Sequence, residues 1–336
     1  MQRIFIFIFF CMWVTSSGTA QEADSFQPEG KVIARSFLDY SAGFGKANDQ
    51  SGFDITRAFL GYNYRFTPTV QARVVIDGAS GRTASGSLEP HLRNAYINWT
   101  DYDFNVHLGQ IGLLQFSLQE EYWMHRYVMK SFQDLNKMAP SVDLGVTAQY
   151  KFNSLLSADV SLTNGEGYKK LSKNNSNRYA GGLNIRPFSG FVVRAYADVY
   201  TDSEDIREEV PEGVKADYKN QYTLSLFAGY KNDFVSAGAE YNRVYNQGFI
   251  KGKDFYGYSF YSSVKPAPRW RLFTRYDIAD FTQPTGFTDD SSGTLFVIGA
   301  EFIPWNRIKI APNFRNINPG PESSSQYLFI NLEFNL

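Results

Sequence analysis

The sequence predicts an all-β fold: a transmembrane antiparallel up-and-down barrel of about sixteen strands, with short turns on one rim and long loops on the other. Three observations predict it. Segments of the chain alternate apolar and polar residues with period two, the connections between them alternate short and long, and the chain opens with an export signal.

The export signal comes first. Arg3 supplies a positive charge, and Ile4 to Val14 is an uninterrupted apolar run. That run is well short of the roughly 20 residues a membrane-spanning helix needs. Gly18-Thr19-Ala20 then offers the small residues that a signal peptidase reads. Residues 1–20 are therefore expected to be a secretory signal peptide, and 21–336 a single domain. The one cysteine, Cys11, lies inside the signal, so the mature chain would carry no disulfide and no thiolate metal site. No cofactor is expected.

Composition narrows the class. Aromatic residues make up 17% of the chain, with 29 Phe and 22 Tyr, yet mean hydropathy is only −0.33. No apolar run after the signal approaches the roughly 18 residues of a spanning helix. Abundant aromatics without long apolar runs suit strands that meet lipid on alternate residues and carry aromatic girdles at the two interfaces. A net charge of −1 argues against nucleic acid as a partner.

The alternation is clearest at the C-terminal end. Leu328, Ile330, Leu332, Phe334 and Leu336 share one face, with Phe329, Asn331, Glu333 and Asn335 on the other. Tyr222, Leu224, Leu226, Ala228 and Tyr230 likewise oppose Gln221, Thr223, Ser225 and Lys231. A soluble sandwich also alternates, so the connections decide. Short ones, such as Thr67-Pro68-Thr69, Asp101-Tyr102-Asp103, Asn153-Ser154 and Asn232-Asp233, hold the residues of tight turns. Between them fall long polar stretches at 43–52, 78–90, 112–140, 164–177, 201–219, 245–254, 279–293 and 317–325. In hydrocarbon an open sheet edge leaves backbone groups unpaired, so the first strand, near 31–42, is expected to pair with the last, near 326–336. A barrel of this size is too wide for its own side chains to fill, which leaves an aqueous lumen.

The loop at 112–140 stands apart. It carries Glu120, Glu121, Tyr122, Trp123, Arg126 and Lys130 in a helix-compatible run without Gly or Pro, and it is rich in aromatics. It is expected to fold into the lumen and form the constriction. With the apolar face toward lipid, Arg35, Arg57, Arg65, Arg73, Arg194 and Arg275 become pore-lining, as do the acids Asp77 and Glu301. The bland reading is that a wet lumen holds charges in any case, many of them paired across strands. Catalytic patterns are weak: none of His91, His107 and His125 sits at a spacing that indicates a nucleophilic pair, and no metal-ligand cluster appears.

Gly52-Phe53-Asp54-Ile55-Thr56-Arg57-Ala58-Phe59-Leu60-Gly61-Tyr62 resembles the second strand of the phosphate-selective porin O and P family. Asn94-Ala95-Tyr96-Ile97-Asn98-Trp99, Val106-His107-Leu108-Gly109-Gln110, Ser117-Leu118-Gln119-Glu120 and Asn164-Gly165-Glu166-Gly167 resemble further pieces of it in order. The resemblance implies a sixteen-stranded, usually trimeric porin in the outer membrane of a Gram-negative-type bacterium. The chain departs from that family in lacking its dense run of pore-lining basic residues, which puts phosphate selectivity in doubt.

The expected function is a water-filled channel for passive diffusion of small polar or anionic solutes, with outer-membrane lipid around it and a homotrimer as its assembly. Two alternatives stand beside it. One is a structural or adhesive barrel, or an importer of a larger ligand; the other is an outer-membrane barrel enzyme, which would need catalytic groups converging at one rim.

Overall fold

The computed structural model describes residues 26–336 except 48, 172, 285–291 and 321–323. The expected signal peptide at 1–20 lies outside the described residues. Sixteen strands appear among them. The first quarter is β1 (Glu29–Gly45), β2 (Ser51–Arg65), β3 (Val70–Arg82) and β4 (Leu88–Asp101). Next come β5 (Phe104–Gly112), β6 (Val142–Lys151), β7 (Leu156–Thr163) and β8 (Arg178–Ile185). They are followed by β9 (Phe191–Tyr200), β10 (Gln221–Lys231), β11 (Val235–Tyr245) and β12 (Asp254–Ala267). The last four are β13 (Trp270–Thr282), β14 (Gly293–Trp305), β15 (Ile308–Asn318) and β16 (Ser325–Asn335). Each strand pairs antiparallel with its chain neighbours, and β1 pairs with β16 from Arg35↔Asn335 to Gly45↔Ser325, which closes the barrel. Closure removes both sheet edges and gives every strand two partners.

The faces are inverted relative to a soluble sheet. On β10 the outward Leu226 is 56% exposed, whereas the inward Thr223 is 0% exposed. The exposed apolar band is the surface that meets lipid. Short turns join β2 to β3, β4 to β5 and so on around one rim, as the sequence predicts. Two of the expected long loops shrink by half or more. β1 runs to Gly45 and β2 starts at Ser51; β3 runs to Arg82 and β4 starts at Leu88. Beyond the hydrocarbon band a ladder needs no alternating apolar residues, so pairing continues where the hydropathy pattern stops.

The inverted burial has a cause inside the barrel. The loop at 113–141 folds inward and lies on the inner wall of β9–β15. It carries α1 (Ser117–Trp123) and α2 (Phe132–Leu135). The helix compatible with 119–130 ends early, because Met124 takes a left-handed conformation at φ 63°. That break turns Trp123, Tyr127 and Val128 together onto the wall, where they join Phe227, Tyr261, Phe273 and Val297 in one apolar cluster. Tertiary packing overrides local helix propensity here. A smaller cluster joins Phe132 and Met138 to Val244 and Phe255.

Polar contacts fix the loop strand by strand. The Tyr122 hydroxyl donates to Gly190 O at 3.1 Å, and Ser236 Oγ donates to Tyr122 O at 2.6 Å. Tyr261 Oη donates to Gln119 O at 3.0 Å, and Arg315 Nη2 to Val128 O at 2.9 Å. Gln133 Nε2 donates to Ser225 Oγ at 3.0 Å. Gly229 and Gly257 make room for this. A Cβ at Gly229 would stand 2.6 Å from Tyr122 Cδ1, and one at Gly257 would stand 2.4 Å from Phe132 Cζ. The loop tip thus reaches the short-turn rim at Gly190 and Lys231, whose Nζ lies 3.5 Å from Glu121 Oε1.

Two predictions follow from this architecture. Leu226→Arg or Ile298→Arg places a charge on the lipid face at a cost of about 2–4 kcal/mol near the bilayer midplane. Both should reduce the heat-modifiable folded band on gels, while Asn63→Arg, on the half-exposed inner wall, should not; equal yields for all three would contradict the lipid-facing assignment. Tyr122→Ala with Phe132→Ala removes two rings whose truncation in a packed site costs about 3–5 kcal/mol each. The double variant should fold, yet be nicked by trypsin at Arg126 or Lys130, where the unaltered barrel resists.

Candidate functional site: the lumen constriction

With the loop seated on β9–β15, cavities remain toward the opposite wall, chiefly β1–β4. One of about 240 Å³ is lined by Ile33, Arg35, Phe37, Phe59, Arg73, Val75 and Arg93 from the wall, and by Glu120 and Arg126 from the loop. On the long-loop side lies a wider cavity of about 630 Å³ whose lining includes Arg57, Lys130, Asp134 and Tyr168. On the short-turn side a cavity of about 290 Å³ includes Lys31, Arg73 and Arg307. Cations line all three levels.

The loop side of the constriction is a braced cluster. Arg126 donates from Nε to Glu120 Oε1 at 2.9 Å and from Nη2 to Asp134 Oδ2 at 2.6 Å. Lys130 Nζ lies 3.5 Å from Asp134 Oδ1. Burial, with Arg126 and Arg57 nearby, holds the Lys130 ammonium below the usual lysine range despite Asp134. Behind this face His125 is fully buried; Nδ1 donates to Trp123 O at 2.8 Å, and burial pushes its pKa down to about 3, so it packs as a neutral ring.

On the wall side Arg57 donates to Asp77 Oδ2 and, at 3.0 Å, to the Tyr168 hydroxyl. Asp77 is fully buried and also accepts from the backbone of Ala79 at 3.2 Å. Arg35 Nη2 lies 2.8 Å from Glu333 Oε2 and stays 37% exposed. Arg93 is different. It occupies a β-bulge, since Val75 pairs with Asn94 and Ile76 with Leu92. The bulge turns Arg93 and Asn94 toward the lumen in succession. Among the described residues neither Arg93 nor Arg73 forms an ion pair. The sequence reading missed Arg93 because a bulge breaks the period-two rule that assigns faces.

Several expected lining residues lie elsewhere. Arg194 is 2% exposed and forks onto Asp159 at 2.6 and 3.0 Å, sealed in the wall. Arg275 is 1% exposed; it grips Asp277 at 2.6 Å and donates to Lys130 O at 2.5 Å, so it anchors the loop. Glu301 accepts from the Tyr127 hydroxyl at 2.9 Å beneath the same loop. Arg65 sits exposed at the short-turn rim, 3.5 Å from Glu29. On the loop, Tyr122 and Trp123 face the packed wall, and Glu121 pairs with Lys231 near the rim. Period two assigns a residue to the inner face only: for Arg275 and Glu301 the loop then covers that face, Arg194 is sealed by its pairing with Asp159, and Arg65 lies at the rim. Arg35, Arg57, Arg73, Glu120, Arg126 and Lys130 line these cavities, with Asp77 buried behind Arg57.

One pairing runs against the sequence reading of histidines. Ser80 Oγ lies 2.8 Å from His91 Nδ1. Both atoms also face Glu89 O, at 3.4 and 3.3 Å, and Ser80 Oγ donates to Asp77 O at 3.2 Å. The pair therefore laces the irregular end of β3 to β4. Among the described residues no group of three or more His, Cys, Asp or Glu is placed to hold a metal ion.

No family profile and no curated protein matches the chain. Solved structures do. The anion-selective porin from Comamonas acidovorans aligns with a TM-score of 0.68 at 9% identity over 92% of this chain and 100% of its own. OprB of Pseudomonas putida gives 0.69 at 10% identity, over 91% and 94%. In-vitro folded OmpT of Vibrio cholerae, an outer membrane protein solved in a trimer form, gives 0.65 at 13% identity, over 92% and 99%. At these identities the likeness is one of fold, and the chain has the fold of an outer-membrane β-barrel.

Proposed function

We propose that this chain is an outer-membrane porin, a water-filled channel for passive diffusion of small solutes with a preference for anions. The observation that carries the reading is the inward loop, which narrows the lumen to a passage between Arg126 and Lys130 on one side and Arg35, Arg57, Arg73 and Arg93 on the other. Cations of one sign in a narrow passage with low-dielectric walls raise the local concentration of anions. Glu120, Asp77 and Asp134 offset part of that field, so the preference is moderate. In this reading the chain performs no covalent chemistry, is exported by residues 1–20 and assembles as a homotrimer, as the trimer form of the Vibrio barrel supports. The resemblance of residues 52–62 and 94–110 to the phosphate-selective porin O and P family supports the same class.

Planar-bilayer recordings in a salt gradient test it. The reversal potential should show anion preference that fades toward 1 M salt, where the Debye length is about 3 Å. Arg73→Glu with Arg93→Glu should shift it toward cations in a barrel that still folds, since neither side chain holds a structural ion pair. Arg57→Glu is the wrong probe, because it would set two carboxylates together at the buried Asp77. A closed barrel, or an unaltered channel that prefers cations, would refute the reading.

A further inference from the structure

The inner wall of β1–β3 is partly apolar. Ile33, Phe37, Phe59 and Val75 line the small cavity among its arginines; Phe37 and Val75 are buried, Phe37 against the loop's Tyr127, while Ile33 and Phe59 keep part of their surface open. They are interleaved by register: Arg35 stands opposite Phe59, and Phe37 opposite Arg57. Phe37 and Phe59 meet edge to face at 5.9 Å. The guanidinium of Arg35 lies 4.8 Å from the centre of the Phe37 ring, and that of Arg93 lies 5.1 Å from the centre of the Phe59 ring. The rings act as platforms for the guanidiniums at the wall; Arg35 also donates to Glu333, whereas Arg93 is held without an ion pair. Arg93 makes only one long hydrogen bond, from Nη1 to Asn94 Oδ1 at 3.4 Å, and Arg73 stands free of any carboxylate among the described residues.

We infer that this cavity is a binding subsite for a small organic monoanion with an apolar body: its carboxylate is received by Arg93 and Arg73, and its hydrocarbon part lies along the half-buried Ile33 and Phe59, which the buried Phe37 and Val75 back. Two features select that class. A planar carboxylate takes two N–H groups from one guanidinium fork, and Arg93 carries only the one long bond from Nη1 to Asn94. A hydrated dianion such as phosphate needs donors on several sides, and here it would meet hydrocarbon on one side and the Glu120 carboxylate on another. A hydroxylated monoanion satisfies the guanidiniums but leaves the apolar wall unused. The volume of about 240 Å³ admits one small molecule. The bulge that re-aims Arg93 is thus a device for specificity, and a plain ladder would not need it.

This inference deepens the porin reading and rests on it for the route by which the anion arrives; binding itself is measured separately. The folded barrel in detergent is titrated with benzoate, gluconate and inorganic phosphate by saturation-transfer NMR, and the same preparation is recorded in planar bilayers. Benzoate should bind about tenfold more tightly than either other anion, and Arg93→Gln should cost about tenfold, the size expected for loss of a charge-assisted hydrogen bond. Phe59→Ser should bring benzoate down to the gluconate level and leave gluconate unchanged, a split that general loss of structure would not produce. Arg93→Lys, which keeps the charge without the fork, should fall between. In bilayers benzoate should interrupt the chloride current at concentrations where gluconate does not. Equal affinities for the three anions, tightest binding of phosphate, or no effect of Arg93→Gln would each overturn the subsite. A channel that conducts anions with no benzoate preference overturns the subsite alone; a barrel that binds benzoate as described but never conducts overturns the porin reading alone.

Discussion

The structure depends on one arrangement: the seating of residues 113–141 on the inner wall of β9–β15. A closed sixteen-stranded ladder leaves a lumen wider than its own side chains fill. Without the loop, the inner faces of β10–β15 would be a polar wall open to water. With it, Thr223, Ser225 and Ser259 are buried and Trp123, Tyr127 and Phe132 find an apolar bed. Such a mixed interface holds only if its polar groups are matched. Arg275 and Arg315 meet part of that demand by donating to the loop carbonyls of Lys130 and Val128; Asp277 answers the charge of Arg275, and Arg315 gives its other N–H groups to Asn313 and Asn331.

The same seating divides the labour among the lumen charges. Arginines under the loop are structural, with little exposed surface: Arg275 is held in an ion pair with Asp277 and Arg315 by hydrogen bonds to Asn313, Asn331 and Val128 O. Arginines across from the loop line the cavities that remain. In the porin reading, only this second set is open to mobile ions, so only it would contribute to selectivity. Moving the loop would reassign these roles without changing a residue of the wall.

Much of the fold was legible in the sequence because a lipid-facing strand is constrained one residue in two. Leu328 to Leu336 and Tyr222 to Tyr230 could be assigned to faces on that rule, and the turn residues marked one rim. The limits of legibility are equally physical. Period two says in or out; it does not say which inner residues lie under a loop, so Arg194, Arg275 and Glu301 looked the same as Arg35 and Arg73. It also fails at a bulge, so Arg93 fell out of the pattern although it faces the passage. The loop itself was marked by its aromatic run, but a run of helix formers does not reveal that Met124 breaks the helix, nor that Tyr122 and Trp123 turn away from the lumen. Gly229 and Gly257 offered a faint signal: glycines in mid-strand mark the close approach of another element.

The position of the loop tip sets which inner residues stay open, and a distance measurement decides it. Spin labels at positions 121 and 232 place one on the loop and one on the short turn between β10 and β11; a second pair joins 121 to 205 in the long loop after β9. Double electron–electron resonance on the folded barrel should give a short, narrow distance distribution for 121–232 and a much longer one for 121–205, since the tip lies against the short-turn rim beside Lys231. A short 121–205 distance with a long 121–232 distance would put the loop over the long-loop mouth, and would contradict the constriction and the division of charges built on it.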